Sequence, residues 1–186
     1  MNLISFPKMV VSSDEAWPEL ERLQLPLSKL LTFLIIPAAL LPPVLLYYSG
    51  SHYGDEFVAG FGSKPWGFIA PIFFLTETLT VLLMGWLLKQ VAQTHGLRMS
   101  GHDSLMLAAI APIPMWLSSL SLLVPSLAFN AGIALLALVA GCSLLHHGIQ
   151  AFGHTKEGVS VAEITQTVMG AGIACWALLL GLIVAL

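Results

Sequence analysis

The chain has 186 residues, 57% hydrophobic and 9% charged, with a mean hydropathy of +0.88. A soluble domain carries about 25% charged residues, and a folded globule leaves much of its surface facing water, so a single soluble core is excluded and lipid is the natural solvent. Seven Lys and Arg against ten Asp and Glu give a net charge of −3 without a basic stripe, which argues against nucleic-acid binding.

In chain order, residues 1–29 form the only sizeable non-spanning segment. Ser12 followed by Glu15 fits a capping box. Ala16, Trp17, Leu20, Leu23 and Leu27 fall at helical spacing, with Glu19, Glu21 and Arg22 turned away. This pattern predicts a short amphipathic helix lying on the membrane interface, with Pro18 in its first turn and Trp17 as its anchor.

Residues 30–186 then read as an all-α membrane bundle of five transmembrane helices, since a span needs about 20 mostly apolar residues. The first span is residues 30–48, between Lys29 and a polar stretch at 49–56; the second is 66–88, bounded by Lys64 and Lys89. The apolar run 105–145 amounts to about 60 Å of helix at 1.5 Å per residue, twice a bilayer. It is predicted to fold as two spans, 105–124 and 127–145, turning at Pro125 and Ser126. The fifth span is 164–186. Six of the seven basic residues, Lys8, Arg22, Lys29, Lys89, Arg98 and Lys156, fall on one side of this arrangement, and only Lys64 falls on the other. The positive-inside rule therefore places the N-terminus in the cytoplasm and the C-terminus outside. The first apolar run is too long and too internal for a cleaved signal peptide.

Glu77 is the most informative single residue, because it lies in the middle of the second span, where a charge is most costly. Thr76 and Thr80 sit one turn apart beside it, so part of that helix face is polar. One reading makes this a proton- or cation-handling site. The other makes it a structural carboxyl bonded to a neighbouring span, at Ser118, Ser119 or Ser121. Pro112 and Pro114 are the candidate helix-distorting residues of the third span, each removing a backbone donor. Pro37, Pro42 and Pro43 are expected to do the same to the first span.

Five of the six histidines, His95, His102, His146, His147 and His154, fall with Asp103 in the two loops on the cytoplasmic side. Their spacing matches no ligand motif, and helix-end histidines commonly meet headgroups or helix C-termini. No cofactor or metal site is assigned. Cys142 and Cys175 lie in apolar runs and read as packing residues. Ala134, Ala137 and Gly141 in the fourth span, and Gly170, Ala174, Ala177 and Gly181 in the fifth, line faces that let helices approach closely, within one chain or in a homo-oligomer. The sequence contains no H-E-x-x-H, G-x-S-x-G or P-loop motif, so no enzyme is read.

Several segments carry a family resemblance. Ser5-Phe6-Pro7 near the start, residues 108–120 (AAIAPIPMWLSSL) and residues 148–160 (GIQAFGHTKEGVS) are similar to the proline-bearing start, third span and glycine-led final loop of the Yip domain family of Ypt/Rab-interacting membrane proteins. The resemblance implies five spans and a cytoplasmic N-terminus. The D-L-Y-G-P signature of eukaryotic members is absent, which argues against Rab binding and points to the bacterial branch and an inner-membrane location. The function expected on this basis is a scaffold or membrane-organising factor of trafficking type, acting through membrane lipids and protein partners at the cytoplasmic face. A small transporter or channel using Glu77 is the alternative, and a haem- or metal-binding anchor subunit is the weaker one.

Overall fold

The computed structural model describes Trp17, residues 26–155 and residues 157–185. The capping box at Ser12 and Glu15, the Ser5-Phe6-Pro7 segment and the basic residues Lys8, Arg22 and Lys156 lie outside the described residues. Among the described residues the chain is all helix and turn, with no strand. An α-helical turn (Leu27–Leu30) and a π-helical turn (Leu31–Ile35) lead into α1 (Ile36–Phe57). α2 (Trp66–Thr94) follows, then α3 (Gly101–Ile110), α4 (Ile113–Ser118) with a 3-10 turn at Ser119–Leu123, α5 (Leu127–Phe152) and α6 (Gly158–Ala185). Five stretches of 23 to 29 residues are long and apolar enough to cross a membrane, with α3, α4 and the 3-10 turn together making the third. The chain is a multi-pass membrane protein.

The helices outrun the apolar stretches read from sequence. α1 carries its polar tail 49–56 as far as Phe57. α5 continues past residue 145, so His146 and His147 lie on its last turns rather than in a loop; it stops at Gly153, just before the left-handed His154 at φ 47°.

The prolines act differently in two places. Pro37 follows directly on the π-helical turn Leu31–Ile35, where the regular α-helical ladder is already interrupted, and the helix then runs through the buried pair Pro42 and Pro43 without a break. The non-helical residue of α1 is Tyr53 (φ −145°, ψ 30°). In the third span the α-helix stops at Ile110 and resumes at Ile113 with Pro112 as its N-cap. Pro112 and Pro114 lack the N–H groups that would bond the carbonyls of Ala108 and Ile110. The ladder is intact on either side, with Ala111 N donating to Leu107 O at 2.9 Å and Trp116 N to Pro112 O at 2.9 Å. Gly141 of α5 closes on the break, since a Cβ there would stand 2.9 Å from the Ala111 carbonyl oxygen.

The third span is the most buried of the five, with Met106 through Ile110 enclosed without interruption. It is gripped by α2, where a Cβ at Gly85 would stand 3.0 Å from the Leu105 Cα, and by α5 at Gly141. The small residues of α6 behave otherwise. A Cβ at Gly170, Gly172 or Gly181 would meet nothing within 4 Å.

Buried apolar side chains form two clusters. The larger takes Ile35 and Ala39 at the start of α1, Val81, Met84, Leu88 and Ala92 of α2, Met99, Met106 to Ile110 of α3, Trp116 of α4, Leu144, Leu145, Ile149 and Phe152 of α5, Val161, Ile164 and Val168 of α6, and Trp17. The smaller consists of Trp66, Ile69, Phe73, Leu179 and Ile183. Trp17 does not anchor to lipid. It is 0% exposed, edge-on to Phe152 with ring centroids 5.7 Å apart, because the ends of α3 and α5 offer an indole more apolar contact than an interface does.

Candidate functional site

α2 presents one buried stripe, Ile69, Phe73, Val81, Leu88 and Ala92, repeating at every turn. Glu77 takes the position in that stripe between Phe73 and Val81. Phe73 belongs to the smaller cluster and Val81 to the larger, so the carboxyl occupies the joint between them. Across the bundle the indole of Trp116, itself 3% exposed, interacts with the Glu77 side chain. The second carboxyl oxygen, Oε2, is buried without a hydrogen-bond partner among the described residues. An orphaned buried acceptor of this kind carries a desolvation cost of about 1–3 kcal/mol.

The remaining polar side chains near this level are occupied within their own helices. Thr76 Oγ1 donates to Ile72 O at 2.9 Å, Thr80 Oγ1 to Thr76 O at 2.8 Å, and Thr78 Oγ1 to Phe74 O at 2.9 Å. Ser118 Oγ donates to Met115 O at 2.7 Å and Ser119 Oγ to Trp116 O at 2.6 Å. The hydroxyl protons of these threonines and serines are thus committed to carbonyls of their own helices, and the carboxyl is met by an indole rather than by Ser118 or Ser119. Pro112 and Pro114 lie just before Trp116, so the backbone break immediately precedes the residue that reaches Glu77.

Trp116 was not singled out in the sequence, although a signal existed. A buried indole N–H requires an acceptor, and the mid-span carboxyl is the strongest acceptor at that depth. A second missed element is Gly148, whose absent side chain makes room for Trp17. A Cβ there would fall 2.8 Å from the indole and inside the contact distance of Leu107.

Polar chemistry gathers at the end of the bundle where Trp17 is seated. His95 Nδ1 stands 3.4 Å from Glu163 Oε2, joining the α2–α3 connection to α6. Ser100 and Asp103 form a capping box that starts α3. Beside them an opening of about 510 Å³ is lined by Gln93, Gly96, Leu97, Arg98, Met99 and Ser100. Among the described residues no three His, Cys, Asp or Glu side chains gather in a way that could hold a metal ion.

The opposite end is closed by a compact knot. Asp55 Oδ1 accepts from Gly60 N at 2.8 Å and from Gly62 N at 3.1 Å, with Gly60 in the left-handed region at φ 88°. Trp66 lies flat on Gly50, where any Cβ would fall within the indole, and its Nε1 donates to Phe61 O at 2.8 Å. Tyr53 donates to Leu122 O at 3.1 Å, tying α1 to the far end of the broken third span.

Residues 8–186 match the Yip1 domain. The chain belongs to the Yip1 domain family. No curated protein and no solved structure gives a significant match. The Yip1 domain match runs through all five spans, so the Glu77–Trp116 joint and the seat of Trp17 both lie inside the domain.

Proposed function

We propose that this Yip1-domain protein is a non-enzymatic scaffold or membrane-organising factor of trafficking type, working through protein and lipid contacts in a bacterial inner membrane. Its contact surface is the end that carries the α2–α3 and α5–α6 connections. The observation that carries this reading is the uneven distribution of polar groups. The 510 Å³ opening at Gln93, Arg98 and Ser100 and the His95–Glu163 pair lie at that end, whereas the single mid-span carboxyl is met by an indole and enclosed by two apolar clusters. The excess of basic residues at the same end supports a cytoplasmic placement, with the N-terminus inside and the C-terminus outside.

Site-specific photo-crosslinking in living cells tests it. A photoreactive residue at Arg98 should capture discrete protein adducts, and one at the exposed Leu136 should capture lipid. Identical adducts at both positions would overturn the proposal. Reporter fusions after residue 60 and after residue 98 should report opposite sides of the membrane.

A second reading, a small transporter or channel, is favoured by the orphaned Oε2 of Glu77. Glu77→Gln in reconstituted vesicles separates the two: loss of proton- or cation-coupled flux selects transport, and the absence of flux in the unsubstituted protein selects the scaffold.

A further inference from the structure

The opening of about 510 Å³ at the α2–α3 turn is lined by donors that have nothing to donate to. Among the described residues, the Arg98 guanidinium, the Lys89 ammonium and the Gln93 side-chain amide have no hydrogen-bond or ion-pair partner. The backbone N–H groups of Arg98 and Met99 are likewise unbonded among the described residues. Lys89 borders the opening: its Nζ stands 3.7 Å from the place a Cβ on Gly101 would take, next to Ser100. The carboxylates of this end are already engaged, Asp103 by Ser100 N and Oγ and Glu163 by His95. The turn is also preformed. Leu97 N donates to Ala92 O at 2.9 Å and Gly96 N to Gln93 O at 3.0 Å around Gly96 at φ 75°, a Schellman cap, and Met99 is buried. A ligand arriving there has little left to order, which lowers the cost of binding.

Depth and neighbours narrow the ligand. Lys89 lies twelve residues past Glu77, about 18 Å along the helix at 1.5 Å per residue, and half the hydrocarbon thickness is about 15 Å. The opening therefore stands at headgroup level when Glu77 is at mid-membrane. Trp86, Lys89 and Gln93 fall at i, i+3 and i+7 on one face of α2, and towards the membrane centre Leu82, Leu83 and Trp86 are exposed. A soluble anion gains nothing from that apolar strip, whereas the chains of an amphiphile do.

We propose that the α2–α3 turn binds the phosphate group of an anionic phospholipid through Arg98, Lys89 and Gln93, with the acyl chains lying along Leu82, Leu83 and Trp86. Arg98 offers a fork to two phosphate oxygens, and Lys89 adds a point charge. A zwitterionic lipid brings its own ammonium towards two cations, so the site discriminates by net charge. The proposal deepens the lipid-contact part of the scaffold reading and is independent of its protein partner. A photoreactive residue at position 98 replaces the guanidinium, so adducts there report the protein-facing surface with this lipid gone.

The test compares phosphatidylglycerol with phosphatidylcholine of matched chains on the full chain, by native mass spectrometry from detergent. The first phosphatidylglycerol should bind at least about five-fold more tightly, the effect of one basic residue at an anionic surface. Arg98→Gln and Lys89→Gln should each remove most of that preference. Lys64→Gln, which deletes one positive charge at the opposite end, should leave it intact. Equal affinity for the two lipids, or an equal loss in Lys64→Gln, overturns the proposal. Glycerol 1-phosphate carries the headgroup chemistry without the chains and should compete more weakly; competition as strong as the lipid's makes this a soluble-phosphate site and overturns the lipid assignment. A readout on the unsubstituted protein runs alongside. In nanodiscs, phosphatidylglycerol brominated on its chains should quench tryptophan fluorescence more than brominated phosphatidylcholine at the same mole fraction, and Trp86→Phe should abolish the difference. A difference that survives Trp86→Phe puts the lipid elsewhere and overturns the proposal. Failure here with discrete protein adducts at position 98 would remove the lipid site and leave the scaffold, and the converse result would remove the scaffold alone.

Discussion

The two apolar clusters differ in how they are held together. The larger draws on every helix from α1 to α6 and on Trp17 and is held mainly by fit: glycines at 85, 141 and 148 let neighbours approach, and long apolar side chains fill the space between. The smaller has five buried members and leans on hydrogen bonds around it, from Trp66 to Phe61, from Gly60 and Gly62 to Asp55, and from Lys64 Nζ to Val184 O at 3.1 Å. In lipid there is no hydrophobic drive to bring helices together, so association depends on close packing and on polar bonds. One half of the bundle uses mainly the first and the other half adds the second. Glu77 lies where the two meet.

The largest effect is expected at Trp17. Trp17→Ala empties a fully enclosed site and should cost about 3–5 kcal/mol of unfolding free energy, measured by denaturant titration in mixed micelles. Phe73→Ala strikes the smaller cluster, which has fewer neighbours to lose, and should cost about 3 kcal/mol by the same titration. Hydrogen exchange would show whether the clusters are separate units: Phe73→Ala should speed exchange in α2 before Glu77 and leave the Met106–Ile110 amides protected. Uniform acceleration would mean that the joint transmits the damage and the clusters are one unit.

At the joint itself, Glu77→Leu removes the carboxyl with which the Trp116 indole interacts and should cost about 1–3 kcal/mol. Adding Trp116→Phe should recover part of the loss, because the donor goes with its acceptor, and the double-mutant cycle then isolates the pair. Glu77→Gln keeps an acceptor for the indole and should stay within about 1 kcal/mol of the unsubstituted protein. The smallest effect is expected at the Trp66 end. Tyr53→Phe removes one partly buried hydrogen bond to Leu122 and should cost about 1 kcal/mol or less, lowering the thermal midpoint slightly.

Residue types and their order along the chain suffice to reveal that the protein is a five-helix membrane bundle. Hydropathy is a local property, and each span declares itself through its own side chains whatever lies beside it. The same holds for the oddity of Glu77, which is visible as one ionisable group amid apolar neighbours. Where each of these groups goes is a pairwise matter. Trp116 lies 39 positions from Glu77 in the chain, yet it is the carboxyl's partner, while the nearby threonines turn to their own backbone. Gly141 and Gly170 look alike in sequence; the first closes on the Ala111 carbonyl and the second meets nothing. Pro42 and Pro43 leave α1 continuous while Pro112 and Pro114 end α3, a difference that the ring's missing N–H does not by itself predict. Trp17, amphipathic in pattern and suited to an interface, is drawn into the bundle because Gly148 leaves a space the size of an indole. Composition and order determined the solvent, the number of crossings and the anomalous carboxyl. Only the tertiary structure decided which surfaces meet, because contact depends on the shape of two elements at once and neither carries that information alone.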